Sequence, residues 1–337
     1  MNLDRLHRAP NIAIVGSSSP VGKELKDLIQ ESNLPVGNIK LLDTEAYAGL
    51  LQEFAGQIEV TQIVSPAALA DIDIVFFACS PEIMNAYAAN VASFPELTID
   101  LTQTGKAGTI FLKGISESSQ LRLVQNSGYF VNPHPAVIVL SNVLHALRRK
   151  YEIVSSTVTI LEPASERGVA AIEELQEQTV RLLNFQSVGS KQFKGQIAFN
   201  VLPETMAAVT TEGLIRRQFA AVMGNSMPVP GLMTIQAPVF HSEAFSMFVR
   251  ITEAATPEAI RECLADSKGA IVVSMDPDDA PSPVSVIGSN AIHVGRIAAD
   301  PQDRALFGFW LTADNLRIAA SNALSIAEHI MLAETPQ

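Results

Sequence analysis

Two short stretches of this sequence carry residue types that could do chemistry. The first is GSSSPVG, Gly16 to Gly22, directly after the apolar run NIAIV. In a dinucleotide-binding turn the first glycine permits the tight turn and the middle one lets the backbone approach the pyrophosphate. The last allows close packing of helix on strand. Gly16 and Gly22 hold the outer places, and Ser19 stands at the middle one, where its side chain needs room. The hydroxyls of Ser17, Ser18 and Ser19 could bond phosphate oxygens, but an ordinary strand-to-helix turn also favours Gly and Ser. A nucleotide site and a plain turn both stay open.

The second stretch is VNPHPAV, Val131 to Val137, where an apolar strand breaks into a Pro-rich turn and a helix begins. Such a turn suits a nucleophile, and Pro135 has none. His134 could serve as a base or nucleophile, or only cap the loop. Neither cysteine fills the gap. Cys79 ends an apolar strand with nothing nearby to depress its pKa, so it reads as a small buried hydrophobe. Cys263 reads as a core-facing filler on a surface helix. Neither has a close Cys or His neighbour with zinc spacing, so no metal site is expected.

The elements that must hold these stretches follow from the apolar pattern. NIAIVG, the helical KELKDLIQES and the strand IKLLD form a βαβ unit, and DIVFFA (Asp73 to Ala78), the helix EIMNAYAANVA and the strand LTIDLT extend it. Apolar strands separated by helices predict a parallel sheet covered on both faces. After the Pro133–Pro135 turn, AVIVLSNVLHALRRK is apolar around much of its circumference and ends in basic residues, as a helix C-terminus would. EIVSSTVTIL, MTIQAPVF, FSMFVRI, AIHVGRI and ALFGFWLT then predict a largely antiparallel sheet, with helices at GVAAIEELQEQTVRLL and PEAIRECLAD. DNLRIAASNALSIAEHIMLA predicts a last amphipathic helix capped by Asp314. AAVMGNSMPVPGLM reads as packing and loop, and EELQEQTVRLL as a helix face with i,i+4 pairs.

Composition excludes several classes. A chain of 337 residues with 47% hydrophobic and 17% charged residues is globular and long enough for two domains. A net charge of -12 argues against a nucleic-acid binder, which needs a basic face for phosphates. No apolar run approaches the roughly 20 residues of a membrane span, and MNLDRLHRAPNIAIVG is too short in its apolar part for a signal peptide. A reducing, cytoplasmic location without a membrane partner is expected.

Taken in order, GSSSPVG, DIVFFA, VNPHP, IAFNVLP (Ile197 to Pro203), HSEAF (His241 to Phe245) and DNLRIAASNALSIAE (Asp314 to Glu328) resemble the aspartate-semialdehyde dehydrogenase family from end to end. The likeness is greatest to its Usg-type paralogues, which lack the catalytic cysteine. The resemblance implies an α/β chain with a Rossmann-type NAD(P)-binding domain of residues 1–132 plus 314–337. Residues 133–313 would form an α+β substrate and dimerisation domain, in a homodimer. The family's chemistry is reductive dephosphorylation of an acyl phosphate, in which a cysteine thiolate forms a thioacyl enzyme that NADPH reduces.

Carried over residue by residue, most of that machinery is altered. The family's cysteine falls at Pro135 and the preceding asparagine at His134, while Asn132 and Pro133 match. The glutamine that positions the intermediate falls at Glu162, and the arginine that clamps the substrate carboxylate falls at Gln236. The arginine for the acyl phosphate falls at Lys106, and a further substrate lysine at Leu214. His241 keeps the place of the general acid/base, with a purely structural histidine as the alternative. The cofactor set implied is Gly16, Ser17, Ser18, Ser19, Pro20, Val21, Gly22 and Asn315. The arginine for the 2′-phosphate of NADP falls near Glu45–Ala46, where Glu45 and Asp43 would repel it. An acidic residue at the end of the second strand could instead accept hydrogen bonds from a free ribose, so NAD is less disfavoured than NADP, and the loss of the middle glycine weighs against both.

Two functions follow. One is a family member without the dehydrogenase activity, kept as a dimeric binding or regulatory protein for a small molecule or partner. The other is a working NAD(P)-dependent oxidoreductase with an altered substrate and a non-covalent mechanism using His134 or His241.

Overall fold

The structure is a computed structural model that describes residues 9–91, 93–104, 108–116, 128–203, 210–267, 269–276 and 279–333. It divides into two compact units, Met1–His134 with Ala319–Gln337, and Pro135–Ile318.

The first unit is an α/β sandwich around a parallel sheet. Its strands are β1 (Asn11–Val15), β2 (Asn38–Asp43), β5 (Gln62–Ile63), β6 (Ile74–Phe77), β7 (Leu97–Asp100), β8 (Thr109–Ile110) and β9 (Tyr129–Val131). Their order is β5-β2-β1-β6-β7-β9-β8, and every pairing is parallel. Because strand side chains alternate, the buried runs NIAIV and IVFF feed two cores. Ile12, Ile14, Ile74 and Phe76 pack with Leu25 and Ile29 of α1 (Pro20–Glu31), and with Ala320, Ala323 and Ala327 of the last helix. Ala13, Val15, Val75 and Phe77 pack on the other face with Met84 and Tyr87 of α2 (Pro81–Ala88).

A hairpin of β3 (Leu51–Phe54) and β4 (Gln57–Val60) lies outside the sequence expectations. Its turn is Ala55–Gly56, with φ of 49° and 77°. Ala at a positive φ lacks the Asn-Gly signature that makes such turns readable.

In the second unit, α3 (Pro135–Arg148) is buried at nearly every position, which explains its apolar circumference. The sheet contains β10 (Ile153–Glu162), β11 (Leu202–Pro203), β12 (Gly231–Gln236), β13 (Glu243–Ile251), β14 (Ile271–Val273), β15 (Ile292–Ala299) and β16 (Leu306–Ala313). Its order is β11-β12-β10-β13-β16-β15-β14, with β10–β12 and β14–β15 parallel and the other pairs antiparallel.

The helices α4 (Val169–Leu183), α5 (Thr211–Met223) and α6 (Pro257–Ala265) complete this unit. In α4, Glu177 and Arg181 form the expected i,i+4 pair at 2.9 Å. The stretch read as packing and loop begins as the last turn of α5, and Met223 and Met227 are buried. The last helix, α7 (Asn315–Ala333), starts in this unit. Asp314 caps it, Oδ1 accepting from the Leu316 and Arg317 N–H groups at 3.1 Å.

Candidate functional sites: a closed turn and a polar sheet end

The GSSSPVG turn is built as tightly as its glycines require. Gly16 has φ +85°, and a Cβ there would lie 2.6 Å from the Ala78 carbonyl oxygen. A Cβ on Gly22 would lie 2.1 Å from the Gly16 oxygen. Ser19 caps α1, its Oγ accepting from the Gly22 N–H at 2.9 Å and donating to the Ala78 oxygen at 2.7 Å. The room that Ser19 needs is therefore inside the turn.

The amides of Gly16, Ser17, Ser18 and Ser19 have acceptors within the unit. Gly16 and Ser17 donate to the Leu42 oxygen, Ser19 donates to the Gly16 oxygen, and Lys23 donates to the Ser19 oxygen. Ser18 donates to Asp43 Oδ2 at 3.0 Å, while Asp43 Oδ1 accepts from Thr44 at 2.8 Å. Pro20 has no N–H to offer. Ser17 is fully buried, and its Oγ accepts from Gln52 Nε2 at 3.0 Å; the same amide reaches Thr61 Oγ1 at 2.9 Å. Ser18 Oγ is buried with no hydrogen-bond partner among the described residues.

A pyrophosphate needs outward-facing donors and no competing anion. Here four of the backbone donors are bonded inside the unit, and a buried carboxylate sits on the Ser18 amide. A diphosphate at this turn would have to compete with Asp43 for that amide. Asp43, which ends β2, is held against the turn by the Ser18 and Thr44 amides.

Asn132 is also consumed within its unit. It is fully buried; its Nδ2 donates to the Ala319 oxygen at 3.2 Å and its Oδ1 accepts from Asn322 Nδ2 at 2.8 Å. Gln103 Nε2 binds its carbonyl at 3.0 Å. The side chain expected beside a substrate thus ties β9 to α7. His134 is buried, and Lys106 lies outside the described residues.

Pro135 is the first residue of α3 and is buried. A missing N–H and a fixed φ suit that first helical position, so the residue that removes the nucleophile also starts the helix well. Neither cysteine offers a thiolate at neutral pH. Burial, and then the Asp100 carboxylate, push the Cys79 thiol up to about 12. Cys263 is pushed up chiefly by burial, and its Sγ points at the Ala146 oxygen, 3.4 Å away.

At one end of the second sheet, register brings several candidate residues into one row. Glu162 at the end of β10 pairs with Gln236 at the end of β12, and Glu243, at the start of β13, pairs with Ala313. The antiparallel register that matches Leu161 with Ala244 sets Glu162 opposite Glu243. Glu162, Gln236 and Glu243 are all buried. Gln236 Nε2 donates to the Glu162 backbone oxygen at 2.8 Å, and Gln236 Oε1 accepts from Arg167 Nε at 2.7 Å.

Asn315 organises the loops beside this row. Its Oδ1 accepts from the Ser242 N–H at 3.1 Å and from Ser165 Oγ at 3.2 Å, and its Nδ2 donates to Glu166 Oε2 at 2.9 Å. Ser242 holds φ 71°, a strained value for a residue other than glycine. Next to it His241 is half-buried, with Nδ1 buried and unpartnered among the described residues. Asn315, expected to face a cofactor, is engaged by these loops.

Arg167, Glu166 and Glu243 were not singled out by sequence reasoning. The signal for Glu243 was its place at the start of a strand antiparallel to the one Glu162 ends.

Residues 11–143 match the sequence profile described as semialdehyde dehydrogenase, NAD binding domain, and residues 144–318 match semialdehyde dehydrogenase, dimerisation domain. The chain belongs to the semialdehyde dehydrogenase family.

Within this family it is 26% identical over 330 residues to the aspartate-semialdehyde dehydrogenase of Rickettsia conorii, covering 95% of this chain and 97% of that one. It is 28% identical over 333 residues to the USG-1 protein homolog of Azotobacter vinelandii, with 95% and 97% covered. Among solved structures, a probable aspartate-semialdehyde dehydrogenase from Pseudomonas aeruginosa superposes with a TM-score of 0.85 at 26% identity, covering 96% of this chain and 99% of that one. The Candida albicans aspartate-semialdehyde dehydrogenase with NADP has a TM-score of 0.69 at 16% identity, covering 97% and 99%, and attests the shared fold. These matches establish the α/β architecture of a parallel-sheet NAD-binding-type domain and a second, mixed-sheet domain. Among the described residues no helix is long and apolar enough to cross a membrane.

Proposed function

We propose that this semialdehyde dehydrogenase family member does not carry out thiol-based dehydrogenation and acts as a dimeric binding protein for a small ligand. Pro135 carries the reading: at the family's nucleophile position the chain has a residue with no group to acylate. Both thiols are held protonated, so neither offers a substitute. The closed GSSSPVG turn supports the same reading from the cofactor side.

The assay is phosphate-dependent oxidation of aspartate semialdehyde with NAD or NADP, run on the wild type and on Pro135→Cys. No turnover is expected from the wild type. Pro135→Cys also stays inactive, because Asp43 still holds the Ser18 amide of the turn and Gln236 still replaces the carboxylate clamp. Turnover by the wild type would refute the proposal. Calorimetric titration with NAD and NADP separates it from a working oxidoreductase, which must bind one of them.

The dimer is proposed to form through the open face of the second sheet. Met233 on β12 and Phe248 on β13 are about half exposed there, with Thr157, Ser246 and Trp310 on the same face. A second copy is the occupant, in keeping with the dimerisation-domain match. Sedimentation should show a dimer that Phe248→Glu converts to a monomer; a wild-type monomer would remove this part of the proposal.

A further inference from the structure

We infer that Arg167 supplies a carboxylate-binding fork at the second sheet's polar end, from a different element than the family arginine. Gln236 stands where that arginine falls in the resemblance, and Arg167 reaches the same side chain. Its Nε donates to Gln236 Oε1 at 2.7 Å, and Gln236, only 3% exposed, is fixed in turn by the Glu162 backbone oxygen. The guanidinium lies over the buried Phe193 ring, 5.8 Å from its centroid. One edge and one face of the group are thus held by the protein.

What remains is the pair of terminal nitrogens. Arg167 is exposed, and neither terminal nitrogen has a hydrogen-bond or ion-pair partner among the described residues. A planar fork anchored through Nε and stacked on an aromatic ring is preorganised for two parallel N–H···O bonds to a carboxylate. An ordinary surface arginine has neither anchor.

The neighbouring charges limit the ligand. Glu162 and Glu243 are buried in the same row, and a carboxylate oxygen of Glu166 lies within 4.8 Å of one of Glu243. A second anionic group on the ligand would meet these carboxylates, so the ligand class is a small monocarboxylate. This inference rests on the reading of the chain as a ligand-binding protein and names the residue that does the binding.

Propionate is the probe, titrated while the Arg167 Nε–H resonance is followed by NMR. The wild type should show a saturable shift, at ~10 mM or tighter for one exposed charge-assisted pair. Arg167→Lys keeps the charge and loses the fork, and should weaken binding about tenfold, followed through the backbone amides of residues 165–168. Gln236→Leu removes the anchor alone and should weaken it several-fold with the cation in place. No saturable shift in the wild type, or equal affinity in Arg167→Lys, would overturn the inference. Turnover in the dehydrogenase assay would instead overturn the proposed function, whatever the propionate titration gave.

Discussion

The two units treat their polar groups in opposite ways. In the first, most of the groups that could meet a ligand are bonded inside the unit: Ser17 to Gln52, Ser18 N–H to Asp43, Ser19 to Gly22 and Ala78, Asn132 to Asn322 and Ala319. In the second, among the described residues, Arg167 keeps two terminal nitrogens without partners and His241 Nδ1 is unpartnered. A buried network of hydrogen bonds rigidifies a fold, and unpaired donors at a surface are what a ligand can use. Under the proposed function, the domain type that holds a dinucleotide elsewhere in the family serves as scaffold, and binding falls to the other unit.

The largest test of that contrast is Gly16→Ala. The substitution adds a Cβ 2.6 Å from the Ala78 oxygen at φ +85°. Backbone strain of about 1–2 kcal/mol and overpacking of about 1–3 kcal/mol combine, so urea denaturation should show a loss of about 3 kcal/mol. Arg167→Gln removes one donor from Gln236 Oε1 at an exposed position that water can reach, and should cost only about 1 kcal/mol. If the two variants lost similar amounts, the turn would not be the rigid element described.

A second test uses pH. Cys79 ionises near 9 in the unfolded chain and near about 12 in the folded one. Between these values the unfolded state releases a proton that the folded state keeps, so stability is lost as pH rises through this window. Going from pH 7.5 to 10.5 should cost about 2 kcal/mol through this group. The Tyr129 hydroxyl, raised by burial and by its 2.6 Å hydrogen bond to Asp100, acts in the same direction. Denaturation at both pH values should show a smaller alkaline loss in Cys79→Ala than in the wild type. An equal loss would mean that Cys79 is not sheltered as the packing indicates.

Much of the scaffold was legible in the sequence, because parallel strands buried on both faces read as unbroken apolar runs; NIAIV and DIVFFA are examples. Asp314 was legible as a cap for the same kind of local reason. The closing of the turn was not. Gln52 lies 35 residues from Ser17, on a hairpin whose turn uses Ala55 where an Asn would have marked it. The Arg167 fork was hidden in the same way, since its anchor Gln236 is 69 residues away and meets it only through the register of β10 with β12. The resemblance pointed to Pro135, Glu162 and Gln236 as altered positions, but an alignment column cannot show a charge arriving from another element.

The smallest effect sharpens the comparison most. Gln52→Ala leaves the Ser17 and Thr61 hydroxyls without their shared donor inside the first unit. Both hydroxyls can still donate, and water can enter the space, so the expected loss is about 1–2 kcal/mol. The informative measurement is the dinucleotide titration repeated on this variant. If Gln52 alone blocked the turn, NAD affinity would appear once it was removed. We expect no such gain, because the Ser18 amide remains on Asp43, the Ser19 amide remains on the Gly16 oxygen, and Pro20 still has no N–H. A gain in NAD binding would mean that one side chain, and not the whole turn, separates this chain from the cofactor.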